Sequence, residues 1–252
     1  MTDSGLFVVR DQLSGDAALD TATSRAILQR ATNGELPEIL QIGFPHRVMA
    51  FGKHDTLSNG FERAVELAVS HGYEPTVRIA GGRAVVFSPT ILRFAWTMAT
   101  DEPAKKMRAR FSMLSDAVVA SLAALGVAGE IGEVPNEYCA GEYSVHVLGS
   151  RKVMGVGQRL SRSAAQIGGM IVVSDPDDIN EVLVPVYAAL GVPMDPNATG
   201  SVADVTQVSP DDLADSLIAS IAAGRSIMPT IIDGETLDLA GTLRAKHVPS
   251  FA

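Results

Sequence analysis

The stretch EVPNEYCAGEYSVHVLGSRKVMGVGQRLSRSAAQIGGMIVV, residues 133–173, decides how this chain folds. Its centre alternates, with Tyr143, Val145 and Val147 on one face of a strand, and then meets Gly149-Ser150, a turn signal, before a second extended run that begins at Lys152. A turn at that point closes a β-hairpin and returns Lys152 toward the side of the sheet from which Cys139, the single cysteine of the chain, departs. A thiol and an amine then meet in one pocket, the makings of an acyl-transfer site. The last strand of the stretch is expected over Gly169 to Val173.

Before the hairpin, a short strand over Leu6 to Val9 leads to a helix over Asp16 to Arg30, in which Leu19, Ala22 and Ala26 share a face and Asn33-Gly34 gives the stop. Ile39 to Gly43 and Arg47 to Phe51 read as two strands joined by a Phe44-Pro45 turn. A second helix follows Asn59, with Phe61, Ala64, Val65 and Ala68 as its apolar stripe and Gly72 as its end. Strands are expected over Thr76 to Ile79, Ala84 to Phe87 and Leu92 to Thr97. Pro103 opens the longest helix, whose Met107, Phe111, Leu114, Val118, Leu122 and Leu125 form a core face that Gly126 ends.

After the hairpin, Ser174-Asp175-Pro176 starts a short helix that Pro185 should break, Ser209-Pro210 with Asp212 caps a clear helix to Ala223-Gly224, and the tail from Asp233 holds one more helix before it frays. Strands crowd the middle and helices the last third. The pattern predicts an α+β fold, a mixed and mainly antiparallel sheet flanked by helices, with a main domain over 1–190 and a small helical C-terminal appendage over 191–252 packed on it.

The 252 residues are 46% hydrophobic and 19% charged, enough apolar material for a sizeable core and against global disorder. A net charge of −9 argues against nucleic acid or an anionic membrane as a general partner. The cations Lys105, Lys106, Arg108 and Arg110 read as a solvated helix face. One cysteine cannot form an internal disulfide, the opening MTDSGLFVVRDQ lacks a basic region followed by a long apolar run, and Ala117 to Ala128 is too short to span a bilayer, so a cytoplasmic location is expected. Five scattered histidines and no CxxC or HExxH pattern argue against a metal site.

Among candidate functional residues, Arg78-Ile79-Ala80-Gly81-Gly82-Arg83-Ala84 sets two glycines between β-like runs, so that backbone N–H groups can approach a ligand and the arginines can fix an anion. The plain alternative is a turn. Cys139 alone reads as a small buried hydrophobe, Lys152 alone as a surface charge, and His146 as a strand residue on the polar face.

In order and together these segments resemble the biotin/lipoate ligase and transferase superfamily, and most its cysteine-dependent branch, the octanoyl and lipoyl protein transferases. The segment Tyr138-Cys139-Ala140-Gly141-Glu142-Tyr143-Ser144 resembles that branch's YCPG-type motif, with Ala140 where proline is common, and Lys152-Val153-Met154-Gly155-Val156-Gly157-Gln158-Arg159 resembles its KxxGxxQR motif. Asp16-Ala17-Ala18-Leu19-Asp20 is similar to the opening ALDE-like helix, and the likeness continues weakly to Leu183-Val184-Pro185-Val186-Tyr187. It covers roughly 15–190.

The resemblance implies the mixed sheet shared with biotin ligases and class II synthetase catalytic domains. It also implies Cys139 and Lys152 as catalytic residues, with Arg78, Gly81, Gly82, Arg83, Ala84, Gly155, Gly157 and Gln158 about the acyl substrate. The reaction implied is transfer of an octanoyl or lipoyl group, through a Cys139 thioester and without a cofactor, to a lysine of a lipoyl-carrier domain or a glycine-cleavage H-type protein. Many relatives carry glycine where Arg83 stands, histidine near Phe87 and His-Gly at Ile167-Gly168; Arg83 suits a transferase better than an adenylate-forming ligase. The alternatives are a lipoate-protein ligase using ATP and Mg, with Cys139 a bystander, and a non-catalytic protein that binds acyl groups or their carrier.

Overall fold

The computed structural model describes residues 5–251. The first four residues of the stretch read for a leader, and Ala252 at the end of the expected appendage, lie outside the described residues.

Strands run β1 Leu6–Arg10, β2 Ile39–Gly43, β3 Val48–Phe51, β4 Glu74–Val77, β5 Val85–Phe87, β6 Ile91–Ala99, β7 Glu130–Ile131, β8 Val145–Val147, β9 Arg151–Leu160, β10 Ala164–Val172 and β11 Ile227–Pro229. Helices are α1 Ala17–Thr32, α2 Phe61–Ser70, α3 Met107–Ala124, α4 Pro176–Leu190, α5 Pro210–Ala222 and α6 Gly234–Leu243. One sheet has the order β11-β1-β2-β6-β10-β9-β8-β7, parallel at the β11-β1-β2 end and antiparallel from β2 to β7, and a second has the order β4-β3-β5. This is the mixed, mainly antiparallel α+β architecture that the pattern predicts.

Alternation along the central strands sorts their side chains into two faces. Leu92, Phe94 and Trp96 of β6 with Ile167 and Ile171 of β10 pack against Leu114, Val118 and Leu122 of α3 and Leu213, Leu217 and Ile221 of α5. Ile91, Met170 and Val172, from the same strands, face the other way and join the small sheet, α2 and α4. Helix α1 lies over this second face, its first turn fixed by Asp16, whose carboxylate accepts from the Leu19 N–H at 2.8 Å.

Several boundaries differ from expectation. β2 and β3 do not form a hairpin: the Phe44-Pro45 segment carries the chain from the large sheet to the small one, where β3 pairs with β4 and β5. β10 begins at Ala164, because Ser161 to Ser163 close a second hairpin in which the Ser161 hydroxyl donates to the Ala164 carbonyl and accepts from its N–H. α3 starts at Met107, after turns at Pro103 to Lys106, and Arg110 in its first turns is buried, not solvated.

Pro185 stays inside α4, where burial of Ile179, Val182, Leu183, Val186 and Tyr187 outweighs the missing hydrogen bond. The tail does not fray. A turn of 3-10 helix over Arg244–His247 follows α6, and the buried His247 ring bonds to the Val77 carbonyl at 2.7 Å. Residues 191–251 supply α5 to the main core and β11 to the edge of the large sheet.

Candidate active site

The hairpin of β8 and β9 forms as the sequence requires, with His146 opposite Lys152 and Val145 opposite Met154. Val153 is the extra residue of a β-bulge, and the bulge sets which side chains face where. Beyond it, Met154 and Val156 lie on the α3 face, while Gly155 and Gly157 look onto the second face. Strict alternation back from Gly155 would put Val153 there. The bulge puts Lys152 there instead.

Gly155 and Gly157 leave that face bare. A methyl on Gly157 would press on Ala80 Cβ at 3.2 Å, and one on Gly155 on Lys152 Cε at 3.3 Å. The space so kept is a mostly apolar cavity between the large sheet, α1 and the small sheet, into which Cys139, Lys152 and Arg78 project.

Cys139 sits at φ 44°, in the left-handed region that residues other than glycine seldom adopt. Three contacts hold it there. Its N–H donates to the Tyr187 hydroxyl at 2.8 Å, Tyr187 in turn donates to the Ala84 carbonyl at 2.8 Å, and Lys152 Nζ donates to the Cys139 carbonyl at 3.0 Å. The sulfur accepts from the Arg78 guanidinium at 3.2 Å and from the Arg83 N–H at 3.3 Å. Gly82, at φ 97°, makes this possible, because a Cβ there would stand 2.7 Å from the sulfur. Burial pushes the thiol up, but the charges of Arg78 and Lys152 with the two hydrogen bonds hold it below its ordinary value.

Lys152 has no exposed surface, and its three ammonium protons are all engaged: with Glu137 Oε1 at 2.9 Å, the Tyr138 carbonyl at 2.8 Å and the Cys139 carbonyl at 3.0 Å. Glu137 also accepts from the Val134 and Gly141 N–H groups, each at 3.0 Å, and from the Ser144 hydroxyl at 2.6 Å. Lys152 is therefore a fixed charge that shapes the cysteine loop.

The remaining predicted residues divide. Arg83 serves the sulfur through its backbone while its guanidinium pairs with buried Asp55 at 3.3 Å, and Ala84 acts through its carbonyl. Gly81 borders a neighbouring basic cavity with Arg25, Lys53, Arg159 and Lys246. Gln158 stands apart from the site. Sharing the face of Met154 and Val156, it accepts from Arg110 Nε at 2.6 Å across the sheet from the cavity.

Sequence reasoning missed Glu137 and Tyr187. Glu137 stands one residue before the Tyr138 motif and Tyr187 ends the Leu183 motif, but only the fold shows that one neutralises Lys152 and the other anchors the cysteine. Among the described residues no group of three His, Cys, Asp or Glu side chains is placed to hold a metal ion, and no helix is long and apolar enough to cross a membrane.

Residues 16–222 match the family model described as lipoyl protein ligase A/B catalytic domain. Among curated proteins, an octanoyl-GcvH:protein N-octanoyltransferase of Geobacillus kaustophilus is 24% identical over 152 residues, 60% of this chain and 53% of that protein. One of the same name from Lysinibacillus sphaericus is 26% identical over 106 residues, 42% of this chain and 38% of that protein. The chain thus spans about half the length, or less, of these relatives. In fold it resembles a lipoate-protein ligase A solved with ATP, at TM-score 0.78 and 21% identity, covering 96% of this chain and 94% of that one. A bi-partite lipoate protein ligase from Thermoplasma acidophilum superposes at TM-score 0.73 and 19% identity, covering 96% and 92%.

Proposed function

We propose, from the premise that this chain belongs to the lipoyl protein ligase A/B catalytic domain family, that it is a cytoplasmic acyltransferase moving a medium-length acyl group onto a lysine of a lipoyl-carrier domain through a thioester on Cys139. The observation that carries the reading is the Cys139 sulfur, held at the wall of an apolar cavity by hydrogen bonds from Arg78 and the Arg83 N–H. The curated relatives are named for octanoyl transfer from an octanoyl-GcvH carrier, which supports a glycine-cleavage H-type partner and an octanoyl or lipoyl group.

In the first step the thiolate attacks the donor's acyl carbonyl carbon: the carbon to Cys139 Sγ bond forms, the bond to the donor's leaving group breaks, and that group leaves with a proton from water. In the second, the carrier lysine amine attacks the thioester, a C–N bond forms, the C–S bond breaks, and the amine proton passes to solvent as the thiolate returns. The thioester preserves transfer potential, so no ATP is needed. Arg78 and the Arg83 N–H are the donors nearest the sulfur and stand ready for the oxyanion. Lys152 contributes its charge and the shape of the loop. Each methylene buried in the cavity adds about 0.8 kcal/mol to acyl binding.

A second reading, an ATP-dependent lipoate ligase, is favoured by the basic cavity beside Gly81, where Arg25, Lys53, Arg159 and Lys246 suit phosphate groups. Intact mass spectrometry separates the two. With an octanoyl donor and no ATP, the wild type should gain an acyl adduct that Cys139→Ala lacks, and the variant should lose carrier acylation. Full transfer by Cys139→Ala, or transfer only with ATP and free acid, would overturn the transferase reading.

A further inference from the structure

Strand β6 reads Ile-Leu-Arg-Phe-Ala-Trp, with an arginine set in an apolar run. Arg93 opposes Met170 of β10, and Met170 opposes Gly155 of β9, so the three form one cross-strand row on the cavity face. Two interstrand spacings place the Arg93 backbone roughly 10 Å from that of Gly155. The cavity therefore has a thiol at the Cys139 loop and a guanidinium two strands away, under α1.

That guanidinium is poorly matched by its own protein. It donates to Ser24 Oγ at 2.6 Å, and Ser24 donates onward to Gln41 Oε1 at 3.0 Å. Among the described residues no carboxylate forms an ion pair with Arg93. Asp20, the acid whose charge reaches it, lines the same cavity without pairing with it, and its Oδ1 accepts from the N–H and hydroxyl of Ser14, both at 2.7 Å. Burial lowers the pKa of Arg93, and only the Asp20 charge opposes this. An arginine keeps its charge even so, with five N–H donors to satisfy. A methyl-ended chain reaching this wall would exclude water from the cation and offer nothing in return. A carboxylate would complete it.

We propose that the acyl cavity selects a medium-length chain ending in a carboxylate, the half-thioester of a dicarboxylic acid, with Arg93 as the specificity-determining residue and Ser24 holding it in place. This rests on the transferase reading above. The thioester chemistry is unchanged; only the far end of the acyl group is specified.

The test offers the protein an equimolar mixture of octanoyl and octanedioyl N-acetylcysteamine thioesters and follows the Cys139 adduct by intact mass. The wild type should load octanedioyl roughly tenfold or more faster, the ratio that a hydrogen bond to a charged group supports. Arg93→Met should abolish that preference, and Arg93→Lys should keep part of it, melting curves confirming that each variant is folded. Equal or faster loading of octanoyl by the wild type overturns the proposal, and so does a preference that survives in Arg93→Met; either leaves the transferase reading intact. If neither thioester loads, that reading fails, and calorimetry with free octanedioate and octanoate decides the proposal: tighter octanedioate binding that Arg93→Met loses supports it, and equal binding overturns it.

Discussion

The two faces of the large sheet are built from alternate residues of the same strands, yet they do opposite things. Toward α3 and α5 the strands present mainly apolar side chains, and Leu92, Phe94, Ile167, Ile171, Leu114, Val118 and Leu122 close into a packed core. Toward α1 and the small sheet the same strands place Gly155, Gly157, Gly168 and Arg93, and the neighbouring loops add Cys139, Lys152 and Glu137. One face gains stability by filling space and the other gains a cavity by withholding side chains. A single bulge at Val153 moves Lys152 from the first arrangement into the second.

The comparison breaks most sharply at the buried pair. Glu137→Gln leaves the Lys152 ammonium in the interior without its counter-charge, and loss of one partner of a buried pair costs about 3–5 kcal/mol. Leu122→Ala on the opposite face should cost about 2–5 kcal/mol by opening a void. The two losses are comparable in a denaturant titration, but they should separate in acylation of the protein that remains folded. Glu137→Gln loosens the cysteine loop and slows adduct formation, whereas Leu122→Ala leaves its rate per folded molecule unchanged. Equal slowing in both would mean that the faces are not functionally distinct.

This division was only partly legible in the sequence. The hairpin, the helix stripes and the cap at Ser209 follow from local periodicity and turn chemistry, so they could be read directly. Cys139, Lys152, Arg78, Gly155 and Gly157 line one cavity and Gly82 lies against the sulfur, whereas Gly81 borders the neighbouring cavity. Gln158 lines neither, because a motif fixes spacing but not the face of the strand, and the bulge upstream sets that face. The joining of β2 to a different sheet from β3 was hidden too, since two short strands around a Pro-containing turn look alike whether they pair or part. Pro185 misled for a related reason: a helix with one face buried tolerates a missing hydrogen bond that an isolated helix would not. Glu137 and Tyr187 are partners across 15 and 48 residues, a separation that no local pattern encodes.

A smaller change in stability should cause a large change in what the cavity accepts. Gly157→Ala sets a methyl 3.2 Å from Ala80 Cβ, a crowding that small shifts can absorb, so unfolding free energy should move by less than about 1 kcal/mol. The same methyl narrows the floor of the cavity. Capture of eight-carbon acyl groups at Cys139 should fall at least severalfold relative to four-carbon groups, read as the ratio of adducts in a competition followed by mass. An unchanged ratio would place the acyl chain elsewhere.

The smallest expected effect, and the finest test of the contrast, is the proton on Cys139. A sulfur on the core face would titrate at or above the ordinary thiol value of about 8.5, whereas on this face Arg78 and Lys152 outweigh burial and lower it. Glu137, buried next to Lys152, and the hydroxyls of Tyr138 and Tyr187, both kept protonated by burial, also stand around the loop. A thiol whose folded value lies below its unfolded value adds stability that is complete above the unfolded value and is lost as pH falls through the folded one. Stability should therefore rise slightly with pH across that window, and the rate of iodoacetamide alkylation should reach half its plateau at a lower pH than for an unperturbed cysteine. Arg78→Met removes the closest positive charge and should move the midpoint upward and flatten the stability slope. An alkylation midpoint at or above the ordinary thiol value in the wild type would mean that the cavity face treats its sulfur as the core face would.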